Sequence, residues 1–143
     1  MTFLNAVQLF FLGVLTLVMG VPAILLALLL PGKARKGNLF LLVSKTYARI
    51  ALWFFRVKVE GRGRENVDAG KAYVFMSNHI SHADSPALAL VISHPLHWVF
   101  KKELAKIPVF GWVLLACGQV MVDRLSPERS KASLEEAISG LSG

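Results

Sequence analysis

An uncharged apolar run opens the chain and limits its possible folds more than any other feature. Between Phe3 and Leu30 there is no Lys, Arg, Asp or Glu, and the only polar side chains are Asn5, Gln8 and Thr16. As one straight helix this run would be about 42 Å long, which exceeds a hydrocarbon core of roughly 30 Å. The run therefore predicts a membrane segment.

The form of this segment is left open by Gly20-Val21-Pro22 in its second half. Proline removes a helical hydrogen-bond donor and clashes with the preceding turn. We expect a tilted or kinked membrane helix, or a hairpin of two shorter helices within one leaflet. A cleaved signal peptide is the alternative, but the run has no basic residue at its start and is longer than an ordinary signal-peptide core.

Positive charge is concentrated directly after the apolar run. The net charge is +7, and nine of the sixteen Lys and Arg residues lie between Lys33 and Arg64, opposed only by Glu60 and Glu65. A basic cluster beside an apolar segment favours an anionic bilayer surface as partner over nucleic acid, since no nucleic-acid-binding motif is present. Basic residues 33–36 predict that the following chain lies on the cytoplasmic side.

Residues 38–57 predict a second helix with a narrow cationic face. Lys45, Arg49 and Arg56 would fall within about 40° of one another on a helical wheel, and most other positions are apolar or aromatic. This pattern is typical of an interfacial helix whose basic side chains reach lipid phosphates. A helix packed against the rest of the domain is the alternative.

The remainder has short apolar runs divided by Gly, Pro and Ser, which predicts an α/β fold. We divide the chain into a membrane-associated helical segment, 1–57, and a partial α/β domain, 58–143. The predicted strands are 72–76, 97–101 and 119–123. The predicted helices are 87–92 after the cap Ser85-Pro86, 112–116, and one that begins at Ser126-Pro127.

Two histidines and a carboxylate follow the first predicted strand, where open α/β sheets tend to bind ligands. His79 would suit a general base, because a turn could bring Asp84 back to orient its ring. The substrate would then supply the nucleophilic hydroxyl. Two alternatives are a metal site of His79, His82 and Asp84, and a purely structural role in capping the next helix.

These residues resemble a known family. Asn78-His79-x-Ser81-x-x-Asp84 is similar to the NHxSxxD block of the lysophosphatidate acyltransferases, within the glycerolipid acyltransferase superfamily. The resemblance continues through Lys102-Glu103-Leu104, Pro108 and Gly111-Trp112, and then through the block from Gly118 to Arg124. It covers residues from about 40 to 141 and matches only the first half of such an enzyme.

The resemblance implies a reaction. His79 would deprotonate the free hydroxyl of a lysophospholipid, and this hydroxyl would attack the thioester of acyl-CoA or acyl-carrier protein. Asp84 would hold the imidazole. The expected product from 1-acylglycerol-3-phosphate is phosphatidate, made without a metal or other cofactor at the cytoplasmic side of a bacterial inner membrane.

The resemblance also implies substrate-binding residues. Arg124, and with less support Lys101, would pair with the substrate phosphate, since a guanidinium fork matches phosphate oxygens. Alternatively, Arg124 pairs with Asp123 and Lys101 is a solvated strand end. Asn78 would order the loop or polarise the thioester, and Gly118 belongs to the same predicted binding set.

Several apolar residues near the second block have two interpretations. Phe100, Val109, Phe110 and Trp112 could line the mouth of an acyl groove. They could equally belong to the core, which we favour slightly.

The family's third block, Phe-Pro-Glu-Gly-Thr-Arg, and its fourth apolar block are absent. We therefore expect an incomplete acyltransferase domain whose missing strands leave an unpaired sheet edge. The alternatives are a membrane-anchored, non-catalytic lipid-binding remnant, or an enzyme for another lyso-lipid such as lyso-ornithine lipid.

Overall fold

The computed structural model describes residues 3–30, 33–68 and 70–141, and the side chains of 6–30, 37–68 and 70–135. The helices are α1 (Phe3–Leu29), α2 (Lys33–Phe54), α3 (Asp84–Val91), α4 (Phe110–Ala116) and α5 (Pro127–Leu141). The strands are β1 (Val99–Lys101) and β2 (Val120–Val122), and 3₁₀ turns cover Arg64–Asn66 and Lys102–Lys106.

The chain forms two compact units. The central unit is Leu41–Leu96, and the sheet unit is built from the stretches before and after it. The boundaries of these units differ from the predicted division at residue 57. That division separated a membrane segment from a partial α/β domain by expected role, and it stays a prediction.

The first helix is one continuous element. It keeps Pro22 inside it, so the two shorter helices considered above are not formed. Residues Ala6–Leu29 are long and apolar enough to cross a membrane, and most of their large apolar side chains are exposed. Little of the apolar surface of this helix is therefore covered by the described part of the protein.

The second helix ends in a Schellman motif. The N–H of Val57 donates to the carbonyl of Leu52 at 2.9 Å, and the N–H of Arg56 donates to that of Trp53 at 3.0 Å. Arg56 takes the left-handed conformation, with φ of 55°, as the residue after a helix often does.

This ending corrects the predicted cationic face of α2. Arg56 lies beyond the helix, so it does not share a face with Lys45 and Arg49. The exposed side of the helix carries Leu42, Arg49 and Trp53, while Leu39, Phe40, Ala48, Ala51 and Leu52 are buried. One side of α2 is thus packed and the other mixes apolar and basic groups.

The two strands are parallel and joined through α4, a βαβ arrangement. Val99 pairs with Val120 and Lys101 with Val122. Both strands are shorter than predicted, by two residues at the start of β1 and one at each end of β2. Phe100, Val120 and Val122 of the strands are buried, as are Val113, Leu114 and Cys117 in and just after α4.

Close approach at Gly111 fixes α4 against the turn before it. A Cβ at this position would collide with the backbone carbonyls of Ala105 and Leu104. Only glycine fits here without a backbone shift, which gives a physical reason for the glycine in the Gly111-Trp112 pair.

The predicted strand 72–76 is wrong. This segment has no regular secondary structure, and every residue from 72 to 80 is exposed. Tyr73 and Phe75 contact the ring of His94, whereas Val74 and Met76 are 90% and 91% exposed. A strand requires a hydrogen-bonded neighbour, and within the described residues only β1 and β2 supply one for each other.

Candidate active site

A tight loop before α3 brings His79 and Asp84 together in the central unit. The Nδ1 atom of His79 lies 3.2 Å from Oδ2 of Asp84. The same Oδ2 accepts the backbone N–H of Ile80 at 2.8 Å and of Ser81 at 2.7 Å. The predicted pairing of the imidazole with Asp84 is therefore present, and the loop backbone binds the same carboxylate oxygen.

The helix after this loop begins earlier than predicted. It starts at Asp84 rather than after Ser85-Pro86, and the N–H of Asp84 donates to the carbonyl of Ser81 at 3.1 Å. The Ser81 hydroxyl accepts the N–H of Ala83 at 3.1 Å. Pro86 lies in the first turn, where its missing donor costs no helical hydrogen bond.

The charge state of Asp84 sets the tautomer of His79. The backbone N–H of Ser81, then that of Ile80 and the His79 ring, hold the pKa of this carboxyl below its ordinary value of 3.8, although partial desolvation opposes the change. Asp84 is therefore ionised at neutral pH and can only accept hydrogen bonds. His79 must donate from Nδ1, which leaves the lone pair of Nε2 available in the neutral ring.

His79 is accessible to a substrate. Its side chain is 62% exposed, against 27% for Asp84, and it lines an open depression with Ile80, Ser81 and His82. His82 makes no hydrogen bond to Asp84 within the described residues. In that same part of the chain, no three His, Cys, Asp or Glu side chains are placed to share a metal ion.

The lowered pKa of Asp84 predicts how the loop responds to acid. Because the folded-state pKa lies below 3.8, the loop is fully stabilised above pH 3.8 and loses this stabilisation as pH falls through the folded-state value. We expect the backbone amide NMR signals of Ile80 and Ser81 to titrate with a midpoint below pH 3.8. Asp84→Asn should abolish the titration, and a midpoint at or above 3.8 would contradict the assignment.

Asn78 lies in the same loop but joins no network. It is exposed, and its side chain makes no hydrogen bond to any described residue. The structure therefore does not bring Asn78 to the His79–Asp84 pair, and its predicted role stays a prediction.

The other predicted site residues lie in the sheet unit. Lys101 ends β1, where its ammonium lies 3.7 Å from the Glu103 carboxylate. Arg124 follows β2 by two residues and is exposed. Since β1 and β2 are parallel, both cations lie at the carboxyl end of the pair, where α/β sheets tend to bind ligands.

Asp123, rather than Arg124, is the ion-pairing residue at this edge. Its Oδ2 lies 3.1 Å from Nζ of Lys102 and 3.9 Å from the Arg129 guanidinium, and its Oδ1 accepts the N–H of Leu125 at 3.1 Å. The Leu125 N–H contributes most to lowering the pKa of Asp123, and the Lys102 ammonium and the Arg129 guanidinium lower it further. Arg124 has no carboxylate within ion-pair distance in the described part of the chain, so the alternative Arg124–Asp123 pair is not formed.

The backbone of Asp123 is also fixed, by α5. Its carbonyl accepts the Ser130 hydroxyl at 2.9 Å, and its N–H donates to the Ser133 hydroxyl at 3.4 Å. The sequence predicted a role for Asp123 only as a possible partner for Arg124. The missed signal is an Asp directly after a strand and ahead of a Ser-Pro helix start, a position suited to binding local backbone.

Gly118 and Gln119 connect α4 to β2. Gly118 has φ of 73° and donates to the carbonyl of Leu115, while Gln119 N–H donates to that of Leu114, a second Schellman ending. The Gln119 side chain is buried and its Oε1 accepts the N–H of Trp98 at 2.8 Å. The structure thus gives Gly118 a conformational role, and its predicted role in binding stays a prediction.

Comparison with known proteins agrees with the motif resemblance. A family model described as acyltransferase matches residues 57–142. The chain is 33% identical over 115 residues to a 1-acyl-sn-glycerol-3-phosphate acyltransferase of Pseudomonas aeruginosa, covering 78% of this chain and 42% of that protein. It is 25% identical over 84 residues to the Escherichia coli protein of the same name, covering 59% and 34%.

The chain thus spans about two fifths of the length of the Pseudomonas relative. No solved structure matches it significantly. The predicted resemblance is confirmed, because the family model covers more than half of the chain and includes both the His79–Asp84 loop and Arg124. The chain belongs to the acyltransferase family.

Proposed function

We propose that this chain carries the general base of an acyltransferase that moves a fatty acyl group from acyl-CoA or acyl-carrier protein to a lysophospholipid hydroxyl. The proposed acceptor is 1-acylglycerol-3-phosphate and the product is phosphatidate. The observation that carries this proposal is the Asp84-bound imidazole of His79, whose Nδ1 faces the carboxylate while its side chain is accessible. The names of the relatives supply the substrate class.

The proposed reaction needs one proton carrier. Nε2 of His79 takes the proton from the acceptor hydroxyl as its oxygen attacks the thioester carbonyl. The carbon–sulfur bond then breaks, and the thiolate leaves with the proton that His79 holds. Asp84 stays ionised and stabilises the transient imidazolium, as the carboxylate does in a serine hydrolase.

Arg124 is the proposed phosphate-binding residue. Its guanidinium is exposed and is not used by any described carboxylate, because Lys102 and Arg129 occupy Asp123. A free guanidinium can bind two phosphate oxygens at once. Lys101 is the weaker candidate, since Glu103 already lies within ion-pair distance of it.

We also propose that α1 holds the enzyme in a membrane and that the mixed face of α2 lies at an anionic lipid surface. The uncovered apolar surface of α1 supports the first statement. Arg49 beside exposed Leu42 and Trp53 supports the second, since such faces suit the headgroup boundary. The basic residues that follow α1 favour a site on the cytoplasmic side, and the bacterial origin of the relatives supports a bacterial inner membrane as its place.

The test is acyl transfer from a labelled acyl thioester to lysophosphatidate. Membranes should be prepared from cells that express the complete reading frame containing this chain. Phosphatidate formation above that of vector-only membranes supports the proposal. Lipid binding without transfer would favour a non-catalytic role, and transfer only to another lyso-lipid would change the acceptor.

Arg124 should control the use of the acceptor phosphate. Hydrogen bonds to charged groups contribute about 1.5–3 kcal/mol, so we expect Arg124→Ala to raise KM for lysophosphatidate roughly 10- to 100-fold. Arg124→Lys should fall between, because lysine keeps the charge but loses the fork. KM and kcat should be measured for each variant.

The matched control is Lys131→Ala, which removes an equal charge from an exposed position on α5. Its KM should stay near the parent value. An unchanged KM in Arg124→Ala would remove Arg124 from the phosphate site.

A further inference from the structure

Helix α4 packs against the apolar helix α1 at a glycine. A Cβ on Gly20 would lie 2.5 Å from Cγ1 of Val109 and 3.1 Å from Cγ2 of Val113. Both valines are buried. The two helices therefore meet directly at Gly20, within the sheet unit.

This contact lies well inside the apolar stretch of α1. Gly20 is 14 residues after Ala6 and nine before Leu29, the limits of the stretch able to span a membrane. At about 1.5 Å per residue these separations are roughly 21 Å and 14 Å. Whatever medium surrounds the middle of α1 therefore also surrounds α4.

The side of α4 opposite its core is apolar and uncovered. Trp112 and Leu115, one helical turn apart, are 54% and 47% exposed. Ile107, just before the helix, is also exposed, and the neighbouring Lys106 is basic and exposed. Of the apolar residues that were predicted to belong to an acyl groove or to the core, Phe100 and Val109 lie in the core, whereas Trp112 does not.

We propose that the outer face of α4, formed by Ile107, Trp112 and Leu115, is a lipid-contacting surface continuous with α1. This inference rests on the proposed membrane placement of α1. Exposed Leu17 and Val18 on α1 cannot be solvated by water at low cost, and α4 packs beside them. Trp112 and Leu115 would then face acyl chains, and the apolar stem of Lys106 lets its ammonium extend toward the polar boundary.

Tryptophan fluorescence can test this surface. Trp53→Phe with Trp98→Phe leaves Trp112 as the single reporter, since the chain has three tryptophans. The protein is reconstituted in phosphatidylcholine–phosphatidylglycerol vesicles with or without brominated acyl chains. We expect brominated lipid to quench most of the Trp112 emission, and iodide in the buffer to quench little of it.

Two further reporters separate this inference from the proposal for α1. In a chain with all three tryptophans replaced by phenylalanine, Phe10→Trp reports on α1 and Lys131→Trp on α5, both at exposed positions. We expect brominated lipid to quench Phe10→Trp strongly and Lys131→Trp weakly.

Quenching of Phe10→Trp without quenching of Trp112 would overturn the α4 surface and leave α1 in the membrane. If brominated lipid quenches neither Phe10→Trp nor Trp112, α1 does not lie in the membrane either, whether or not acyl transfer is found. Shielding of Trp112 from both lipid and iodide would mean that protein covers the face, which also overturns the inference. Equal quenching of Lys131→Trp would show that the signal is not specific to α4.

Discussion

His79→Ala is expected to lower kcat for acyl transfer about a thousandfold, within the range that a positioned general base contributes. Alanine removes the imidazole, which is the only side chain in the described part of the protein that is hydrogen-bonded to the Asp84 carboxylate. The loop should survive, because Asp84 still accepts the N–H groups of Ile80 and Ser81. The measurement is kcat with lysophosphatidate and an acyl thioester in membranes.

The matched control is His82→Ala. His82 lies three residues from His79 in the same open depression but makes no hydrogen bond to Asp84 in the described structure. We expect its kcat to stay within a few-fold of the parent. Equal losses in both variants would indicate damage to the loop, and a retained rate in His79→Ala would exclude His79 as the base.

The site was more predictable than the sheet because its contacts are local. Asp84 is only five positions after His79, and the chemistry of a general base requires a partner for one ring nitrogen. That reasoning predicted the His79–Asp84 pair but not the backbone hydrogen bonds that hold Asp84. The structure adds the N–H groups of Ile80 and Ser81, which explain how this half-buried carboxylate is held in place.

The strand prediction failed where a distant partner decides the outcome. Residues 72–76 have the composition of a strand, and exposure of Val74 and Met76 alternates with partial cover of Tyr73 and Phe75. The local pattern is therefore strand-like. No described strand pairs with it, and pairing depends on chain far away in sequence, which periodicity cannot reveal.

The helix ends were less predictable than the His79–Asp84 pair and more predictable than the sheet. The left-handed ending at Gly118 could have been expected, because glycine often follows a helix. Arg56 takes the same conformation, which side chains with a Cβ adopt less readily. The sequence therefore predicted a helix continuing through Arg56, and the charged face drawn from that prediction was too long.

Asp84→Asn should lower kcat roughly a hundred- to ten-thousandfold, an effect known for the equivalent carboxylate of catalytic triads. The asparagine oxygen can still accept the N–H groups of Ile80 and Ser81, so the loop should keep its form. The imidazolium then has no counter-charge. If the amide NH₂ instead faces Nδ1, that nitrogen must accept, the proton moves to Nε2, and the base is lost.

Two measurements separate this effect from unfolding. The backbone amide signals of Ile80 and Ser81 should stay near their parent positions, and ¹⁵N NMR of the His79 ring should report a change in tautomer or in the pH at which the ring protonates. Ser81→Ala is the control, since it removes one loop hydrogen bond, to Ala83, and leaves the carboxylate. A kcat within tenfold of the parent in a folded Asp84→Asn enzyme would show that His79 acts without an orienting charge.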